Sequence, residues 1–171
     1  MTRMGEKPVK RLMLAAPDVR PMVVHEDEKV KQRITIQSET FTREGDAWVS
    51  EGVTESSLPC RFLYRQNGSF SVSYEEKSEE MTAASRLAYD SEAKTLTLSR
   101  TGDVRYTAVF GAAPCRFVYA VSAFAFDAQA TTESLALSVS EGGGCFTLSY
   151  LLTLGDVPRR IRLSGTVSSS N

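Results

Sequence analysis

The chain is poor in the residues from which most catalytic and metal sites are assembled. It has one histidine, His25, and three cysteines, Cys60, Cys115 and Cys145, in 171 residues. The cysteines are isolated and never fall in the C-x₂₋₄-C spacing of a zinc site. A Ser-His-Asp or Cys-His site needs its histidine anchored beside a nucleophile, and His25 opens a charged run, His25-Glu26-Asp27-Glu28-Lys29, with no such anchor. An excess of one charge is also missing. The 20 Lys+Arg against 21 Asp+Glu leave a formal net charge of −1, without the electrostatic footprint of a nucleic-acid binder. No apolar run approaches the ~20 residues of a membrane span. Leu12-Met13-Leu14-Ala15-Ala16 follows basic residues but stops at Pro17-Asp18, short of the roughly 7–15 residues of a secretory h-region. Few and unpaired cysteines suit thiols in a reducing cytoplasm better than a disulfide scaffold. The expectation is a cytoplasmic protein, not an enzyme, with no cofactor, no metal, no nucleic-acid partner and no membrane association.

What is present is β structure. A chain of 171 residues fits one domain against a prior of roughly 150. Hydrophobic residues at 42% and charged residues at 24% are ordinary globular values. With 20 Ser and 15 Thr, the composition tilts toward strands and turns. Residues 1–29 contain Pro8, Pro17 and Pro21 and no sustained period, so a poorly ordered arm is expected there. Met4, Met13 and Met22 within it are alternative translation starts. From Val30 the period becomes two: Val30, Ile34 and Ile36; Phe70, Val72 and Tyr74; Leu96 and Leu98; Val104, Tyr106, Ala108 and Phe110; Cys115, Phe117, Tyr119 and Val121; Phe146 through Leu154; Ile161, Leu163 and Val167. Each set alternates with polar residues, which places one face in a core and the other in water. Glu44-Gly45-Asp46, Asn67-Gly68, Thr101-Gly102-Asp103, Gly142-Gly143-Gly144 and Gly155-Asp156 supply the turns between them. Short strands at regular spacing without a helical pattern predict an all-β, up-and-down antiparallel meander. Eight or more such strands close most economically as a barrel, because closure removes the unpaired edges. The barrel is expected over 30–168, with a short tail at 169–171.

Ser73-Tyr74-Glu75-Glu76, Ser99-Arg100-Thr101-Gly102, and Gly144 through Tyr150 with Gly155 together resemble the YwiB-like family of small, uncharacterised bacterial proteins. The resemblance runs from about Val30 to Val167, with Phe110 and Gly111 in register, and implies a calycin-type, lipocalin-like barrel. Cys60 stands where such proteins tend to have Gly, Phe117 for a usual Tyr, and Ser122 for a usual Gly. Two close-approach or bulge positions should therefore be built differently here. The family carries no established activity.

Parity singles out one charged pair. Glu76 extends the Phe70-Val72-Tyr74 face and Arg100 extends the Leu96-Leu98 face, so both charges continue inward stripes where their strands end. They are expected at a barrel mouth, paired with each other as a structural ion pair or facing a ligand, for which the planar fork of arginine is suited. Glu75, Glu76, Glu79 and Glu80 read as a solvated turn, and Gly142-Gly143-Gly144 as a hairpin connection without the helix of a phosphate loop. Cys60 and Cys115 have core parity and Cys145 the opposite. Arg159, Arg160 and Arg162 form a basic patch on what reads as a charge-guarded edge strand. Trp48, by analogy with lipocalin-like folds, would plug one end. Two functions follow. The preferred one is a module binding a small apolar or amphipathic ligand, with Tyr74, Glu76, Arg100 and Tyr150 as its polar contacts. The alternative is a packed barrel that meets a protein partner or a second copy of itself through outward apolar residues such as Leu63, Val109, Val118 and Leu151.

Overall fold

A computed structural model describes residues 31–170; the expected arm, His25 and the alternative starts lie outside them. Ten strands follow one another: β1 (Lys31–Glu44), β2 (Ala47–Tyr64), β3 (Phe70–Lys77), β4 (Thr82–Asp90), β5 (Thr95–Gly102), β6 (Val104–Phe110), β7 (Cys115–Val121), β8 (Phe124–Ser140), β9 (Gly143–Leu154) and β10 (Val157–Ser170). Sequence neighbours pair antiparallel from β1 through β10, and β1 lies between β2 and β10, so the meander closes into a barrel. The turns that leave odd-numbered strands gather at one end, here the odd end, and the remaining connections gather at the even end. β10 continues past position 168 to Ser170.

The alternation read from the sequence is the alternation of burial. Ile34, Val72, Leu87, Leu96, Ala108 and Leu148 are fully buried, and each stands on the inward parity of its strand. Burying a side chain of this size is worth roughly 1.5–3 kcal/mol. Phe62, Phe70 and Tyr89 stack along the even end, with Phe62–Phe70 and Phe70–Tyr89 ring centroids 6.2 and 5.7 Å apart. Two glycines of the resemblance have structural duties. A Cβ on Gly144 would collide with the carbonyl oxygen of Ser138, and one on Gly102 with that of Thr82; both glycines have positive φ. Only glycine lets the backbones approach so closely.

Three expectations are corrected. Trp48 does not plug the barrel. Its ring lies against the outer face, with the guanidinium of Arg160 4.8 Å and that of Arg43 5.3 Å from the ring centroid. The β10 strand is no edge, because β1 covers it, and its outward arginines meet carboxylates: Arg160 donates two bonds, of 2.9 and 3.0 Å, to Glu133, and Arg162 lies 4.0 Å from Glu39. Glu133 is the extra residue where the β8–β9 register shifts, a bulge that re-aims a side chain. Cys60, in turn, occupies neither a bulge nor a close approach; it sits in regular register opposite Tyr74. Ser122 does occupy a special position, the β7–β8 turn, with φ at 54°.

The β6–β7 seam is the least regular. Ladder pairs are confined to Val104↔Val121 and Arg105↔Ala120. Beyond them side chains bridge the gap: the Val109 N–H donates to Cys115 Sγ at 3.4 Å, and the Gly111 N–H to Thr132 Oγ1 at 3.0 Å.

Left-handed backbone costs a non-glycine residue about 1–2 kcal/mol, part of which glycine returns through the entropy of the unfolded chain. Ser122→Gly should therefore stabilise the protein by about 0.5–1 kcal/mol in urea denaturation, and an unchanged or lower midpoint would contradict the strain. Hydrogen bonds from Arg160 hold the Glu133 carboxyl below its ordinary pKa, against a smaller opposing effect of burial. A depressed carboxyl contributes stability above its unfolded pKa and loses it as pH falls through the folded one. Glu133→Gln should lower the urea midpoint at neutral pH, and the two proteins should converge in acid below the carboxylate range.

Candidate functional site

The antiparallel register places five inward side chains in one row across β2–β6. Cys60 is opposite Tyr74, Tyr74 opposite Ser85, Ser85 opposite Arg100, and Arg100 opposite Tyr106. The next inward row toward the even end is apolar throughout: Phe62, Val72, Leu87, Leu98 and Ala108. The lumen thus changes from apolar to polar over one pair of residues, about 7 Å along a strand.

The expected charged pair is formed. Arg100 Nη2 donates to Glu76 Oε1 at 2.8 Å, with the two side chains 20% and 30% exposed. Solvent reaches the pair, but both groups are mostly enclosed, so the pair is screened less than a surface ion pair. Glu76 is opposite Ala83 in the β3–β4 pairing, and the small Ala83 leaves its carboxylate room to reach Arg100. Glu75, Glu79 and Glu80 are exposed around the β3–β4 turn, as the solvated-turn reading expects.

Phenols complete the polar end. Tyr74 and Tyr150 are buried. Burial, then the neighbouring Glu76 carboxylate, pushes the Tyr74 phenol up to about 12, while Ser85 and Arg100 pull the other way. Burial likewise raises Tyr150, with the Tyr106 and Tyr119 phenols adding to the rise and Arg100 opposing it. Burial raises Tyr106 too. All three phenols therefore stay protonated and neutral across the physiological range, able to donate or accept. Tyr106 packs on Tyr119 at 5.2 Å and on Phe117 at 5.7 Å between centroids, while Phe110 meets Tyr150 at 4.5 Å. The hydroxyl missing at Phe117 thus falls beside Tyr106, within the aromatic stack.

All four residues singled out from the sequence, Tyr74, Glu76, Arg100 and Tyr150, meet in this one region. Sequence reasoning passed over three others. Ser85 stands on β4, whose inward residues Ala83, Ser85, Leu87 and Tyr89 are too mixed to show a stripe. Tyr119 was read as core without a polar role. Arg159 was counted with its neighbours as surface charge, although it lies on the inward parity of Ile161 and Leu163, opposite Leu152.

Three atoms at this end lack partners. Ser85 Oγ, Arg100 Nε and Arg159 Nε are buried with no hydrogen bond. Ser85 lies near enough to the Tyr74 phenol to favour its ionised form, yet its hydroxyl reaches no partner with hydrogen-bond geometry. An outer hollow of about 850 Å³ crosses β2–β5, lined mainly by outward residues such as Arg61, Ser73, Arg86 and Ser99 and also by Cys60, Tyr74 and Ser85 of the polar row. The cysteines are free, Cys60 and Cys115 half-buried and Cys145 exposed.

A closed, ten-stranded, antiparallel barrel with one polar end is the class that fold and site define. The model of the domain of unknown function DUF1934 matches residues 34–161, and the chain belongs to that family. Its fold is similar to that of the crystal structure of ywiB protein from Bacillus subtilis, with a TM-score of 0.65 at 16% sequence identity, over 82% of this chain and 94% of that one. A search of curated proteins finds no match. No helix among the described residues is long and apolar enough to cross a membrane.

Arg100→Met would leave the Glu76 carboxylate enclosed without its partner. It should cost about 1–3 kcal/mol, and Arg100→Met with Glu76→Leu should recover part of that loss in a double-mutant cycle. Additive single effects would show that the pair contributes nothing to folding.

Proposed function

We propose that this protein is a non-catalytic, cytoplasmic module that binds a small amphipathic molecule at the odd end of its barrel. The observation that carries the reading is the division of the lumen. Apolar side chains fill the even end, while the odd end gathers Tyr74, Ser85, Arg100, Tyr106 and Tyr150, and there Ser85 Oγ, Arg100 Nε and Arg159 Nε are buried without a partner. Buried polar groups in native proteins are nearly always paired, and the exceptions call for a bound water or ion or a functional role. A ligand site of this kind is typically apolar with a few convergent polar groups, which describes the junction of the two rows. Among the described residues no nucleophile stands beside a base at this end, and the reading offered is binding. Three free thiols among the described residues support a reducing compartment.

A specific observation supports the alternative of a protein-interaction role. Leu63, Val109 and Val118 are exposed, and so are Phe124 and Phe126 on the β7–β8 hairpin, at 68% and 48%. Leu151 is only half-exposed.

Native mass spectrometry of gently purified protein, compared with its denatured mass, separates the two. A reproducible excess of a few hundred daltons, lost in Arg100→Met, is the expected result. A clean apo mass as a dimer would overturn ligand binding in favour of the partner surface.

A further inference from the structure

The odd end of the lumen holds more donors than acceptors. Arg100 enters it from β5 and Arg159 from β10, strands that stand half a turn apart in the ten-strand ring, so the two side chains come from opposite walls. The one inward carboxylate beside Arg100, Glu76, is already engaged by Nη2 of that arginine. Nε of Arg100 and Nε of Arg159 are buried and reach no acceptor with hydrogen-bond geometry among the described residues, although Arg100 lies near enough to the Tyr106 phenol to favour its ionised form. Ser85, 4% exposed and the register neighbour of both Tyr74 and Arg100, also keeps its hydroxyl free. An arginine Nε–H beside an Nη–H forms the two-pronged edge that grips an oxyanion. The neutral phenols of Tyr74 and Tyr150 add donors and no negative charge. Beyond Glu76 the site has no anionic acceptor among the described residues, and apolar groups adjoin it: Leu152 opposite Arg159, Ala130 opposite Leu152, Phe110 against the Tyr150 ring, and Phe126, inward in parity but 48% exposed, at the rim.

We infer that the polar end of the lumen holds the oxyanion head, carboxylate or phosphate, of an amphipathic small molecule, with Arg100 and Arg159 approaching the head from opposite walls and its apolar body lying toward Phe126. This deepens the binding function proposed above and rests on it. Arg159 is the informative residue. Its Nε has no partner, so among the described residues replacing Arg159 removes charge from the site without breaking a hydrogen bond at that atom.

The test is a fluorescence titration of the full chain with two probes of similar shape, anionic anilinonaphthalene sulfonate and neutral phenylnaphthylamine. The sulfonate should bind more tightly by about tenfold or more, the weight of one charge-assisted pair. Arg159→Gln should abolish that preference, leave the neutral probe unchanged and leave the thermal midpoint of the free protein no lower. Dodecanoate or dodecyl phosphate should displace the sulfonate where inorganic phosphate at the same millimolar concentration does not. Displacement by inorganic phosphate alone would overturn the amphipathic part of the inference. Equal binding of both probes, unaffected by Arg159→Gln, would overturn the anion site and leave a binding module standing. Equal loss of both probes in Arg159→Gln, together with a lowered midpoint, would make Arg159 a structural group and overturn its role. Binding of neither probe would overturn the inference and the proposed function together.

Discussion

Closure of the ring governs this molecule. Because β1 is bonded to both β2 and β10, the sheet closes on itself, and the buried residues of inward parity share one lumen. A sheet left open would offer two faces and an edge for pairing with other chains. Here the ring is continuous, with free edges only where the long β2 and β8 run past their shorter neighbours, and within the ring strand register decides what meets what. The row Cys60, Tyr74, Ser85, Arg100, Tyr106 is such a consequence. Four antiparallel pairings, each fixed by its hairpin, bring residues scattered from position 60 to position 106 onto one line.

Register also explains how a polar cluster is tolerated inside a core. The polar row borders the apolar row Phe62, Val72, Leu87, Leu98, Ala108 along its whole length. A slip of one residue in any of these strands would turn Val72 or Leu98 outward. The apolar row therefore fixes where the polar one must lie, and Arg100 is held in place by Leu98 and Leu96 beneath it as much as by Glu76. On the outside the same logic places Glu133. Its bulge turns it to Arg160 across β9 while Thr132 and Leu135 stay inward, and the Arg160 guanidinium then covers Trp48.

The barrel was legible in the sequence because most strands alternate cleanly, β9 above all, from Phe146 to Leu154. β4 and the first half of β8 were not, since Ala83, Ser85, Ala128, Ala130 and Thr132 are small or polar on the inward side and give no hydrophobic period. Small residues there face the bulkier rings of Tyr74, Phe117 and Tyr150, so the contrast that periodicity detects is carried by neighbouring strands. Tyr74, Glu76 and Arg100 were found by counting in twos past the last apolar residue. The same count run backward from Ile161 reaches Arg159. It was missed because three arginines within four positions, Arg159, Arg160 and Arg162, read as one patch, whereas a strand divides them between its two faces. Trp48 was misplaced because analogy with another fold said nothing of the long β1–β2 hairpin, which lays it on the outer wall.

A core that leaves Ser85 Oγ and two arginine nitrogens without partners is less stable than one that satisfies them or replaces them with apolar groups. Selection for folding alone would favour that replacement, since the apolar row next to them shows that the geometry accepts leucine and valine. Such local costs persist where the surrounding structure is stable enough to hold them and where the unsatisfied groups serve something outside the chain. The barrel provides the first condition through the buried rows at the even end. Arg100 and Arg159, on strands half a ring apart and each with an Nε that no acceptor meets, fulfil the second when they hold the oxyanion inferred above.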